Sequence, residues 1–122
     1  MTIRVRRFGS TRARLDAQGI ELSGIEDPRF RRWEWSEIGG VIGFAGLAPE
    51  LILVPLVEGR RRRALEKTIP VTGHRLLVRD RQIMEMFTLR FRPGTRPKIG
   101  EVERYIRAAA PHLDWNLDQK RG

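Results

Sequence analysis

The sequence predicts a mainly β (α+β) protein, a strongly bent antiparallel β-sheet or partly open barrel of about seven strands, capped by one C-terminal amphipathic helix. Three observations predict it. Short stretches of β-branched and aromatic residues alternate with polar ones at period two. Gly, Pro and Asp clusters fall between them at hairpin spacing. Only the last element spaces its apolar residues at three and four.

Residues 2–8 interleave Ile3 and Val5 with Thr2, Arg4 and Arg6, the pattern of a half-buried strand, and Gly9-Ser10 reads as a turn. Residues 12–15 and 20–22 flank Asp16-Ala17-Gln18-Gly19, a short hairpin loop in which Gly19 is expected to supply a positive φ. Residues 24–30, with Asp27-Pro28, form a loop. Residues 31–35 alternate again with Trp33 and Trp35 on one face, and Ser36-Glu37 is a bend.

Two apolar stretches follow, 38–45 and 51–57, separated by a turn at 46–50. Pro55 has no N–H to donate, so the second stretch is expected to be an edge strand or to carry a bulge. Residues 38–57 also have about the length of a membrane-spanning helix, with Trp33 and Trp35 before them and Arg60 to Arg63 after. Glu50, Pro49, Pro55 and the glycines at 39, 40, 43 and 46 argue for the strand pair. Weaker strands are expected at 64–71 and 74–79, and a stronger one at 83–91 whose Phe87, Leu89 and Phe91 face the core.

Ile99, Val102, Ile106, Ala109 and Leu113 then fall on one side of a helix. Pro97 suits its first turn, Glu101 and Glu103 complement its N-terminal end, and Pro111 marks where it stops. The expected organisation is a single domain over residues 1–113 and a polar C-terminal tail over 114–122. At 122 residues the chain is long enough to bury one continuous core.

Gly19-Ile20-Glu21-Leu22 and then Arg32-Trp33-Glu34-Trp35-Ser36-Glu37-Ile38-Gly39-Gly40-Val41 resemble the bacterial form of pleckstrin-homology-like (PH-like) domains. In that form a Gly-Ile strand precedes a Trp-Ser/Asp-x-Ile-x-x-Val segment. The order of elements is similar over about residues 2–113, and Tyr105 stands where eukaryotic members carry a Trp in the final helix. The resemblance implies a non-catalytic scaffold that binds proteins, peptides or phospholipid headgroups. Its lipid-binding members place basic residues along the first hairpin and its long loop, whereas the hairpin here has a short turn with an acidic Asp16.

The net charge is +9, and only Lys67, Lys98 and Lys120 among the 24 basic residues are lysines. So basic a chain favours nucleic acid, anionic lipid or an acidic partner surface, although this Arg usage also fits a GC-rich coding bias. The most distinctive run is Arg60, Arg61, Arg62 and Arg63, whose guanidiniums suit phosphates or carboxylates; a solvated hairpin tip is the plainer reading. Arg4, Arg6, Arg12 and Arg14 form a second basic patch if their strands pair, with Arg7 beside them.

No Cys is present, which excludes disulfides and thiolate chemistry and suits a reducing cytoplasm. The opening MTIRVRRFGSTRARLD has no apolar run of signal-peptide length, so the mature chain is expected to begin at Met1. His74 and His112 lack metal-site spacing, and Ser10, Ser23 and Ser36 lack a nucleophile elbow. Glu34 and Glu37 read as a solvated strand end, and the glycines at 39–46 as bends and tight packing rather than a nucleotide loop. Trp33 and Trp35 are expected in the core; exposed, they would make a stacking platform for single-stranded nucleic acid. No catalysis, metal or cofactor is expected. The expected function is a PH-like module for a protein or peptide partner, including a second copy of the chain. Anionic phospholipid at the inner membrane surface is the alternative, and nucleic acid the second.

Overall fold

The computed structural model describes residues 2–7, 9–25, 28–56 and 86–119. Strands β1 (Ile3–Arg6), β2 (Arg12–Leu15), β3 (Gly19–Leu22) and β4 (Arg32–Glu34) form an antiparallel sheet in the order β1-β2-β3-β4. Strands β5 (Ile38–Phe44), β6 (Glu50–Pro55), β7 (Thr88–Arg90) and β8 (Asp114–Gln119) form a second, ordered β7-β6-β5-β8. Helix α1 (Ile99–Ala109) lies between β7 and β8 in the chain.

Among the described residues the mainly β class with one amphipathic helix is as expected, but the sheet arrangement is not. Among the described residues there are eight strands in two four-stranded sheets, rather than one bent sheet or partly open barrel of about seven strands. The division falls at a short 3₁₀ turn, Trp35–Glu37, which ends the first ladder and redirects the chain into β5. Glu37 Oε1 accepts the Glu34 N–H at 2.9 Å there, a reciprocal cap that gives both acids a structural role.

The first sheet is one-sided. Val5, Ala13, Leu15, Ile20, Leu22 and Trp33 are buried, and the residues between them point outward, as period two requires. Trp33 and Trp35 both join the core, so neither forms an exposed platform. The Trp33 indole meets Phe87 edge-on at 4.9 Å and donates to Phe30 O at 2.9 Å, while the Trp35 indole donates to Asp16 O at 2.9 Å.

Residues 38–57 contribute the hairpin β5–β6, and no helix among the described residues is long and apolar enough to cross a membrane. β6 is interior, not an edge. It accommodates Pro55 by placing it last, beside a bulge between Ile38 and Gly40 and beyond the reach of β7, whose pairing ends at Ile52. Of the strand expected at 83–91, β7 covers Thr88–Arg90 and residues 83–85 lie outside the described residues; Phe87, Leu89 and Phe91 are buried as predicted, but so are Met86 and Thr88 of the opposite set. The strands expected at 64–71 and 74–79 lie outside the described residues.

α1 buries Val102 and Ile106, and Ile99, Tyr105 and Ala109 pack partly against the same core. It is not the last element. The polar tail expected from residue 114 is a strand over Asp114–Gln119, paired parallel to β5 with Gly40 opposite Asp114. An added Cβ on Gly40 would lie 2.9 Å from Asp114 O, so a side chain there would push β8 away. Arg107 stacks over Trp115 at 4.0 Å and ties the helix to that strand.

The β2–β3 turn departs from expectation at Gly19, which is not among the residues with positive φ. Glycine is required there because a Cβ would lie 2.0 Å from Trp33 O on the neighbouring strand. Asp16 organises the turn: its Oδ1 accepts the Gln18 and Gly19 N–H groups at 2.9 Å, and its carboxylate takes two bonds from Arg32, at 2.6 and 2.9 Å. The Arg32 bond, aided by those backbone donors, holds the Asp16 carboxyl well below the usual carboxylate range. A depressed folded-state pKa contributes stability that is complete above the unfolded value, near pH 4, and is lost as the pH falls below it. Asp16→Asn keeps the turn acceptor and loses the ion pair. It is expected to cost about 1–2 kcal/mol at pH 7, and the gap in melting temperature from the parent should narrow as the pH falls from 5 to 2. Thermal melts across that range measure both.

Candidate anion-binding face

The outward residues of β1 and β2 are all arginines. Antiparallel register sets Arg4 opposite Arg14 and Arg6 opposite Arg12, because the inward positions are taken by Ile3, Val5, Ala13 and Leu15. Like charges directly across a ladder repel, so this pairing opposes the sheet that creates it. Toward β3 the repulsion is relieved: Glu21 lies opposite Arg14 and forms an ion pair with it, and Arg32 beyond is held by Asp16. Toward β1 it is not. Among the described residues no carboxylate contacts Arg4, Arg6 or Arg12, and the Arg12 side chain donates only to Thr11 O at 3.1 Å. The four residues of the second basic patch are thus brought onto one face, with the uncompensated charge concentrated at its β1 side.

The second sheet adds to it. β1 and β7 lie in contact, which brings Arg90 and the following loop up to the arginines of β1. A recess of about 90 Å³ results, lined by Arg4, Arg6, Arg12, Arg90, Arg96 and Thr95 with the edges of Val5 and Pro97. Arg90 also reaches Glu50 Oε2, with its Nε at 3.4 Å. A shallower depression of about 160 Å³ continues over Arg4, Arg12, Arg14, Glu21 and Ser23, whose Oγ accepts the Arg12 N–H at 2.7 Å. On the other side, Thr95 and Pro97 also border an apolar groove of about 320 Å³ with Phe91, Pro49 and Leu47, the last 91% exposed, and with Arg92 and Lys98 at its rim.

Sequence reasoning missed Arg90, Thr95 and Arg96. Arg90 carried a signal, since it falls in the set opposite Phe87, Leu89 and Phe91; Arg96 sits in a Pro-Gly loop with no local pattern to mark it. Arg7, grouped with the patch, does not belong to it. The residue is 1% exposed, its guanidinium donates from Nε to Met86 O at 2.9 Å and from Nη1 to Ser23 O, and burial lowers its pKa to about 10. It ties the end of the first sheet to the approach to β7. Arg60, Arg61, Arg62 and Arg63 lie outside the described residues.

Among the described residues no three His, Asp or Glu side chains gather as a metal set would. His112 Nε2 lies 3.0 Å from Trp35 O and 3.3 Å from Ile38 O; facing two carbonyls, it carries the proton and donates. The chemistry this face offers is therefore guanidinium donation to an anion. No protein-family model, no curated protein and no solved structure matches the chain.

Proposed function

We propose that the chain is a non-catalytic interaction module that docks an acidic segment of a partner protein on the outer face of β1 and β2. One observation carries the reading: arginines opposed across a ladder, with no carboxylate on the β1 side among the described residues, cost the free protein stability that an anionic partner restores. The finer assignment to the PH-like class is part of the same proposal. Supporting it are an antiparallel strand set followed by an amphipathic helix and the Trp35-Ser36-Glu37-Ile38 segment at the junction of the sheets; β8 would be an addition to that plan.

The test compares the parent with the triple variant Arg4→Ser, Arg6→Ser, Arg12→Ser, each immobilised and exposed to native cell extract. Proteins retained by the parent and released by salt are expected to be absent from the variant, whose melting temperature should equal or exceed the parent's because repulsion is removed. The same retained set on both proteins would refute the proposal. Leu47, fully outward beside Arg92 and Lys98, favours a second reading in which the groove rim contacts an anionic membrane. Sedimentation with acidic vesicles that Leu47→Ser and added salt both reduce would support that reading instead. Nucleic acid has less in its favour, since both indoles that would stack with bases are in the core.

A further inference from the structure

We propose that the face formed by the β5–β6 turn and the start of α1 is a two-fold interface with a second copy of this chain, in which Leu47 of each copy enters an apolar depression of the other. The inference makes no use of the arginines of β1 and β2. Residues 45–49, Ala-Gly-Leu-Ala-Pro, hold no charge in a sequence that is 32% charged, and 45–48 are exposed, whereas hairpin tips that face only water carry polar turn residues. Leu47 at the centre is 91% exposed. A lone exposed leucine is ordinary, but this one sits where two apolar depressions meet.

Gly46, Pro49 and Ile99 line both depressions and form the ridge between them. On one side is the groove of about 320 Å³, which includes Leu47, Arg92 and Lys98. On the other is a depression of about 220 Å³ lined by Gly43, Leu51, Leu117 and the half-buried Glu103. Knob and cations thus fall to one side of the ridge, socket and carboxylate to the other. A half-turn about an axis through the ridge lays each side on its opposite. Leu47 then meets the socket of the second copy, Arg92 and Lys98 meet its Glu103, and the same contacts repeat in reverse, as an isologous interface requires. With other described residues Glu103, Arg92 and Lys98 make no ion pair, so their charges are available.

An anionic membrane suits this face less well, because it repels Glu103 and receives only one leucine. An unrelated partner would have to bring a knob, a socket and both charges, all of which a second copy holds by symmetry. Two chains of net charge +9 repel at long range, but salt at about 0.15 M screens that repulsion beyond about 8 Å.

The test is sedimentation equilibrium of the full chain at that salt concentration, for the parent, Leu47→Ser, Glu103→Lys and the double variant Arg92→Glu, Lys98→Glu. A reversible monomer–dimer equilibrium is expected for the parent. Leu47→Ser should weaken it about a hundredfold, roughly tenfold for each of the two leucines that a symmetric dimer buries. The monomer's melting temperature should not change, because the side chain is exposed. Glu103→Lys and the double variant each set like charges against one another and should each lower self-association about tenfold or more. Mixed in equal amounts, these two proteins should recover association, since every cation again faces a carboxylate; loss of fold cannot produce that recovery. A parent that stays monomeric up to about 1 mM, a dimer that Leu47→Ser leaves intact, or a mixture no more associated than its components overturns the proposal. Growth beyond the dimer would mean head-to-tail contact and overturns the two-fold arrangement. A monomeric parent retained on acidic vesicles through Leu47 would give the face to a membrane instead.

Discussion

Ile106→Asp is expected to destabilise the chain by about 3–5 kcal/mol, the largest effect of any single substitution considered. Ile106 is fully buried in α1, within the one core cluster that draws on both sheets and the helix. An aspartate there loses the apolar contacts and places a carboxyl in a cluster of apolar residues that offers it no partner. Its alternatives are to bury a charge, to take up a proton, or to expel the helix, and each is costly. Chemical denaturation followed by circular dichroism measures the loss. Ile106→Val, which keeps the apolar character, should cost only about 0.5–1.5 kcal/mol. An unchanged midpoint for the aspartate variant would mean that the stripe faces solvent or another chain.

Gly19→Ala should cost about 2–4 kcal/mol although it adds one methyl group at a turn. The new Cβ would sit 2.0 Å from Trp33 O and 2.9 Å from Glu34 Cα, both backbone atoms of β4 that no rotamer change can move aside. To admit it, β4 must withdraw from β3. That strains the Gly19–Glu34 and Ile20–Trp33 pairings, the Trp35 N–H bond to Gln18 O at 3.0 Å, and the seat of the Trp33 ring. Ala17→Gly, in the same turn but away from the ladder, supplies the comparison. Urea midpoints decide it: a loss below about 0.5 kcal/mol, the usual range of a surface substitution, would show that β4 is not held where the close approach places it.

Much of the fold was legible because its signals are local. The alternation of Ile3, Val5, Ala13 and Leu15 with arginines depends only on pleat geometry, and the Ile99, Val102, Ile106 stripe only on helix pitch, so each appears in the chain whatever it packs against. The same alternation made Arg4, Arg6, Arg12 and Arg14 a nameable patch. It also places Arg7 on the inward side, two residues beyond Val5, and reasoning from charge rather than period sent it outward. Gly19 was marked as indispensable for a torsional reason, when the cause is the carbonyl of a strand fourteen residues later in the chain. Asp114 to Gln119 read as a tail because a polar strand at the side of a sheet has no composition to distinguish it from solvent-exposed coil.

By itself, then, the sequence determined which residues face inward on each strand and helix, where the chain turns, and that its outer surface is basic. The tertiary structure alone decided that the strands divide into two sheets, that β8 pairs parallel with β5, and that β7 lies beside β1, bringing Arg90 and Arg96 to the arginines of the first hairpin. The reason is physical. Periodicity records which side of an element is apolar, but contacts between elements far apart in sequence depend on how several such sides fit together, and a charge that gains its meaning from neighbours ninety residues away leaves no local mark.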